Sequence, residues 1–135
     1  MPEAILEAIA PGVELVFLCE PNNPTGRTTP RPLLDRILAR CQSVGARLVV
    51  DECFNEFLDD PAAHTMKGRL SGCENLLILN AFTKIYAMAG LRLGCSAVPL
   101  HTSRPFTSIP APSWKKSVAP GAMVSVAPSS TVIGP

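Results

Sequence analysis

No stretch of the 135-residue sequence approaches the roughly 18 consecutive apolar residues that a bilayer-spanning helix needs, and the opening MPEAILEAIAPGVE has early acidic residues and no basic segment of the kind that starts a secretory signal. Basic excess is missing as well. The formal net charge is +1, and Lys115–Lys116 is the only Lys/Arg doublet, which excludes a general nucleic-acid binder with a basic face. Charged residues make up only 17% of the chain against 47% hydrophobic ones, a balance that excludes wholesale disorder and allows a buried core. The five cysteines, Cys19, Cys41, Cys53, Cys73 and Cys95, contain no C-x-x-C pair and have no histidine cluster near them. An odd count at wide spacing predicts free thiols in a reducing, cytoplasmic setting rather than a disulfide framework or a zinc site. Cys19 and Cys53 lie in or beside apolar runs, where a small buried hydrophobe is the ordinary reading.

The length is that of one ordinary domain. Residues 3–9 (EAILEAI) read as a helix ended by Pro11–Gly12. Residues 13–19 (VELVFLC) form a continuous run of β-formers, the pattern of a strand buried on both faces. The following EPNNPTGRTTPRP is loop. In 32–44 the apolar residues Leu33, Leu34, Ile37, Leu38, Cys41 and Val44 recur at amphipathic-helix spacing, opened by Pro32 and closed by Gly45. Residues 46–50 (ARLVV) and 75–80 (NLLILN) read as two further strands, with a fourth at 91–98. Strand, helix and strand at this spacing predict a βαβ crossover, hence an α/β fold with a mainly parallel sheet. Such sheets bind ligands at the carboxyl ends of their strands. Asn22 and Asn23 follow the first strand, Asp51 ends the second and Lys84 follows the third.

Each of these residues has an ordinary and a chemical reading. Lys84, in NAFTKIYAMAGLRLG, is either a solvated surface charge or a partly desolvated amine that acts as a Schiff-base nucleophile. Arg92, eight residues on, is a turn residue or a planar fork for a phosphate, and Thr83 could offer its hydroxyl to the same group. Asp51, closing LVVDE, either caps the next turn or pairs with a protonated pyridine nitrogen, the arrangement that makes such a ring an electron sink. The adjacent Glu52 reads as structural. The Pro21-Asn22-Asn23-Pro24-Thr25-Gly26 loop is a stiff turn or presents a side-chain amide to a ligand oxygen. Pro24 rules out glycosylation there.

Taken in order, PNNPTG, VVDECF, AFTK and GLRLG resemble the class I/II, fold-type I pyridoxal-phosphate (PLP) dependent aminotransferases, with the nearest likeness to the histidinol-phosphate aminotransferase and threonine-phosphate decarboxylase groups. The likeness covers about residues 1–95. It implies part of a PLP-binding large domain over 1–98 and pyridoxal 5'-phosphate as cofactor. It also implies that Asn23 bonds the cofactor's phenolic oxygen, Asp51 pairs with its ring nitrogen, Thr83 and Arg92 hold its phosphate, and Lys84 carries it covalently and moves the proton at the substrate's α-carbon. The expected substrate is a small amino acid or amino-acid phosphate undergoing transamination, with decarboxylation as a close variant. The expected parent is a homodimer. No nucleic acid or membrane partner is expected.

Two positions depart from the family pattern. Phe54 stands where many members have Tyr, and so has no hydroxyl for the phenolic oxygen; this favours the decarboxylase-like group. Ala81 stands where a Ser or Thr often binds phosphate. The family's upstream phosphate loop and ring-stacking aromatic, and its downstream substrate-carboxylate arginine, are not visible, and Arg104 is not assigned that role. Residues 99–135 are rich in Pro, Ser and Ala, contain no acidic residue and show no sustained period. They are expected to be irregular, either a disordered extension or a stretch out of frame from near Cys95. The alternatives to an enzyme are a truncated, catalytically inactive fragment and a small nucleotide-binding α/β module. The second lacks both G-x-G-x-x-G and G-x-x-x-x-G-K-[ST].

Overall fold

The computed structural model describes residues 2–91, 94–97 and 122–125. Helix α1 (Pro2–Ala8) leads to β1 (Leu15–Cys19), α2 (Arg31–Val44) and β2 (Arg47–Asp51); a short α3 (Pro61–His64) precedes β3 (Leu76–Ala81), α4 (Phe82–Ile85), β4 (Gly94–Ala97) and β5 (Ala122–Ser125). The sheet order is β4-β3-β2-β1-β5. Its centre is parallel: Val16 pairs with Leu48, and Val50 with Ile78. Both flanking strands run antiparallel, β4 on β3 and β5 on β1. The α/β expectation and the β1–α2–β2 crossover hold.

Helix α2 forms where its apolar spacing places it. Leu34, Ile37, Leu38 and Cys41 are the buried stripe, i, i+3, i+4 and i+7. Proline within the first helical positions removes an amide hydrogen that would have no partner there. Gly45 ends the helix at φ 74°, ψ 14°, and its N–H donates back to the last carbonyls; this left-handed conformation strains any residue with a Cβ. The stripe packs on Val16, Leu18, Leu48, Val50, Leu76 and Ile78, joined by Ile9, Val13, Ala46 and Met66 in one core cluster.

The expectation that the first strand is buried on both faces is corrected. In β1, Val16 and Leu18 are buried, whereas Leu15, Phe17 and Cys19 are half-buried. In β3, Leu76 and Ile78 are buried while Leu77 and Leu79 are half-buried. Alternate side chains of a strand point to opposite faces, and the core cluster with α1 and α2 occupies one face only. Within the tail expected to be irregular, residues 122–125 supply a short edge strand. Four residues are too few to show a period, and the open edge of β1 gives them backbone partners. The rest of 99–135 lies outside the described residues.

All five cysteines are free, as expected; Cys41 and Cys73 are buried, Cys19 and Cys53 half-buried, and Cys95 exposed. Cys19 and Cys53 are therefore more open than their apolar neighbourhood suggests. Among the described residues no helix is long and apolar enough to cross a membrane.

Candidate functional site

Because β1, β2 and β3 are mutually parallel, their carboxyl ends share one edge of the sheet. The loop 20–30 leaves β1 at that edge, Asp51 is the last residue of β2, and Lys84 lies three residues beyond the end of β3, on α4. Four of the five expected site residues, Asn23, Asp51, Thr83 and Lys84, are therefore brought to one edge. The fifth, Arg92, lies outside the described residues.

The loop after β1 is held tightly by its own groups. Gly26 N–H donates to Asn22 O at 2.6 Å and Asn22 N–H to Arg27 O at 2.8 Å. Thr25 Oγ1 donates to Asn22 Oδ1 at 2.6 Å. Gly26 adopts φ 68°, and both Glu20-Pro21 and Asn23-Pro24 are cis. The two asparagines are not equivalent. Asn23 is exposed, whereas the Nδ2 of Asn22 is buried without a hydrogen-bond partner.

Asp51 is half-buried and in register with Cys19 on β1 and Leu79 on β3, on the sheet face away from the core cluster. Its Oδ1 accepts from Cys53 N–H at 3.0 Å. Among the described residues no Lys or Arg forms an ion pair with it. Its negative charge acts on its neighbours: burial first, then the hydrogen bond and charge of Asp51, push the Cys53 thiol up to about 12. Burial also raises Cys19, with a smaller contribution from Asp51.

Lys84 is exposed, and its Nζ lies over the Phe54 ring, 5.7 Å from the centroid. Phe54 in turn meets Phe57 at 6.0 Å between centroids. These two rings and Leu58 face the Pro21–Pro24 segment and Gly26 across a cavity of about 290 Å³. Thr83 is half-buried beside Lys84. Phe82 and Tyr86, both exposed, meet tilted with 5.7 Å between ring centroids. Among the described residues no group of His, Cys, Asp and Glu could hold a metal ion.

The donor set fits a PLP-type group. It offers the Lys84 amine, the Asp51 carboxylate, free of basic side-chain partners among the described residues, the exposed Asn23 amide beside the buried, acceptor-less Asn22 amide, and the Thr83 hydroxyl, all at one sheet edge.

Sequence reasoning missed Glu20, which is 1% exposed, and Phe57 and Leu58, which line the cavity; Glu52, read as structural, is 0% exposed. Glu20 and Glu52 fall in step with Val16, Leu18, Leu48 and Val50, a parity that the continuous apolar runs do not display.

The sequence model of the family described as aminotransferase class I and II matches residues 2–130, a span that continues past the motifs ending near residue 95. The threonine-phosphate decarboxylase of Salmonella typhimurium is 43% identical over 94 residues, 70% of this chain and 25% of that protein. The histidinol-phosphate aminotransferase of Methanosarcina mazei is 35% identical over 118 residues, 82% of this chain and 30% of that protein. Among solved structures, an aspartate aminotransferase double mutant from Thermus thermophilus superposes with a TM-score of 0.65 at 31% identity, covering 73% of this chain and 25% of that one. The chain thus spans between a quarter and three tenths of the length of these relatives.

Proposed function

The chain belongs to the aminotransferase class I and II family, and on that premise we propose that it supplies the cofactor-holding part of a PLP-dependent enzyme acting on an amino acid or amino-acid phosphate. The observation that carries this reading is the arrival of the Asn22–Asn23 loop, Asp51 and Lys84 at the carboxyl edge of three parallel strands. Lys84 is the covalent attachment point, Asp51 the partner of the ring nitrogen and Asn23 the donor to the phenolic oxygen. Thr83 and Arg92 hold the phosphate.

PLP, when bound, supplies an electron sink that stabilises negative charge at the substrate's α-carbon. The protein's part is to hold and move protons. Asp51, without a competing basic partner among the described residues, keeps a proton on the ring nitrogen through a charge-assisted hydrogen bond. The Lys84 amine would take up the substrate's α-proton and could redeliver it one position away, the proton shift that transamination requires before water releases the keto acid. Phe54 steadies Lys84 by offering its ring face and has no hydroxyl to donate.

Decarboxylation is the second reading. It is favoured by Phe54 and by the 43% identity with the decarboxylase. The two readings differ in which bond at the α-carbon is held perpendicular to the ring. A homodimer is proposed for the working enzyme.

The test is a PLP titration of the 135-residue chain followed by visible absorbance. A saturable band that weakens about tenfold or more in D51A is expected, because a hydrogen bond to a charged group is worth about 1.5–3 kcal/mol. No band in the wild-type chain would leave the inactive-fragment alternative standing.

A further inference from the structure

The candidate chemistry uses Asp51 and leaves its neighbour Glu52 unexplained, together with Glu20. Both are almost wholly buried, which is costly for carboxylates unless they are well bonded. They leave β1 and β2 at adjacent positions, on the face opposite Asp51. The strand pairing runs on to them: Glu20 N–H donates to Asp51 O at 2.9 Å and Glu52 N–H to Leu79 O at 2.8 Å.

Each carboxylate is spent on a different loop. Glu20 Oε1 accepts from Thr29 N–H at 2.7 Å, closing the 20–29 segment that contains Asn22 and Asn23. Glu52 Oε1 accepts from Met66 N–H at 2.6 Å, and its Oε2 from Thr65 Oγ1 at 2.7 Å, closing the segment that contains Phe54, Phe57 and Leu58. A third bond ties the second segment across its base, Asn55 Nδ2 to Pro61 O at 3.0 Å. The two closed segments are the two walls of the 290 Å³ cavity. Burial pushes the Glu20 carboxyl up most; the bonds to Thr29 and the charge of His64 oppose that, and the charge of Glu52 adds a repulsion. A hydrophobic pair would seal the sheet end without that repulsion, but would leave the Thr29 and Met66 amides without these acceptors.

We propose that Glu20 and Glu52 are paired positioning residues that fix the two walls of the 290 Å³ cavity, which adjoins the candidate cofactor residues through Asn23 and through Phe54 under Lys84, Glu20 holding the Asn22–Asn23 loop and Glu52 the Phe54–Leu58 wall. The inference rests on the cofactor reading above only for the consequence it has for PLP, not for the loop clamp itself.

The experiment compares E20Q, E20D and E20A with the wild-type 135-residue chain in two readouts, PLP affinity by absorbance titration and backbone hydrogen exchange across residues 21–29. The Gln amide oxygen can accept from Thr29 N–H as the carboxylate does. Asp keeps the charge but is one methylene short. E20Q is therefore expected to match wild type in both readouts, while E20D and E20A bind PLP at least tenfold more weakly and exchange the 21–29 amides at least tenfold faster, with the β2 and β3 amides unchanged. Should E20A fail to fold, E20D and E20Q carry the comparison. Wild-type exchange in E20D, or an E20Q as impaired as E20D, would overturn the clamp. If wild type itself shows no PLP band, the cofactor reading falls and the exchange result alone decides the clamp.

Discussion

Lys84 Nζ rests over the face of the Phe54 ring, 5.7 Å from its centroid, so Phe54 lies against the lysine proposed to carry the cofactor. At an exposed site such a contact is worth about 0.5–1 kcal/mol, enough to bias the position of a flexible side chain but not to hold the fold. In F54L the ring-current displacement of the Lys84 side-chain resonances should vanish while stability falls by no more than about 1 kcal/mol. F54Y, which keeps the ring, should retain the displacement. Unchanged Lys84 resonances in F54L would remove Phe54 from any part in placing the lysine.

The core gives a separate prediction. Leu34 is fully buried at the centre of the α2 stripe, and L34A should cost about 2–5 kcal/mol by denaturant unfolding through lost burial and a residual cavity. Gly45 sits at φ 74° with nothing near its missing side chain, so G45A should cost only the left-handed backbone strain, about 1–2 kcal/mol. A smaller loss in L34A than in G45A would mean that the packing of α2 on the sheet is misassigned.

Stability should depend on pH through two carboxylates of opposite sign. Burial raises Glu20 above the usual carboxylate range despite its bonds to Thr29. Its contribution is complete below the unfolded pKa and is lost as the pH rises through the raised folded value. Asp35 is lowered by its two-pronged bond from Arg69, at 2.8 and 2.9 Å, with Arg31 adding to it. That contribution is present above the unfolded pKa and fades as the pH falls through the lowered folded value; exposure keeps it small and sensitive to salt. In E20Q the decline on the rising side should flatten, and in D35N the decline on the acid side should shrink. The check is a set of denaturant midpoints measured across pH; identical profiles for wild type and E20Q would contradict the first.

Thiol labelling should rank the cysteines. Cys95 is exposed and should react first with a disulfide reagent. Cys41, buried and pushed up to about 12, should react only on unfolding. Cys53, also pushed up to about 12, should lag well behind Cys95 although it is half-buried, because the thiolate is the reactive form and burial first, then Asp51, opposes it. Labelling of Cys53 as fast as Cys95 would show that neither burial nor Asp51 holds back its thiolate.

Much of this was legible in the residues. The α2 stripe, its proline start and its glycine stop are local patterns, and the structure reproduces them. The shared edge of Asn23, Asp51 and Lys84 followed from parallel strands, themselves implied by one strand–helix–strand spacing. What was not legible depends on which face a side chain takes. Phe17 and Leu79 look as apolar as Leu18 and Ile78, and a continuous apolar run hides the parity that leaves one set half-buried. The same parity buries Glu20 and Glu52, whose partners Thr29, Thr65 and Met66 lie 9 to 14 positions away across irregular loops. Strand β5 was unreadable because its pairing partner is more than a hundred residues earlier.

The central claim is that Lys84 is the residue that holds the cofactor, and covalent trapping tests it most directly. The chain is mixed with PLP, reduced with borohydride and digested, and the mass added to each lysine peptide is read. The account predicts one borohydride-stable pyridoxyl-phosphate increment on the Lys84 peptide, absent in K84A. No addition, or addition spread evenly over Lys67, Lys84, Lys115 and Lys116, would contradict it.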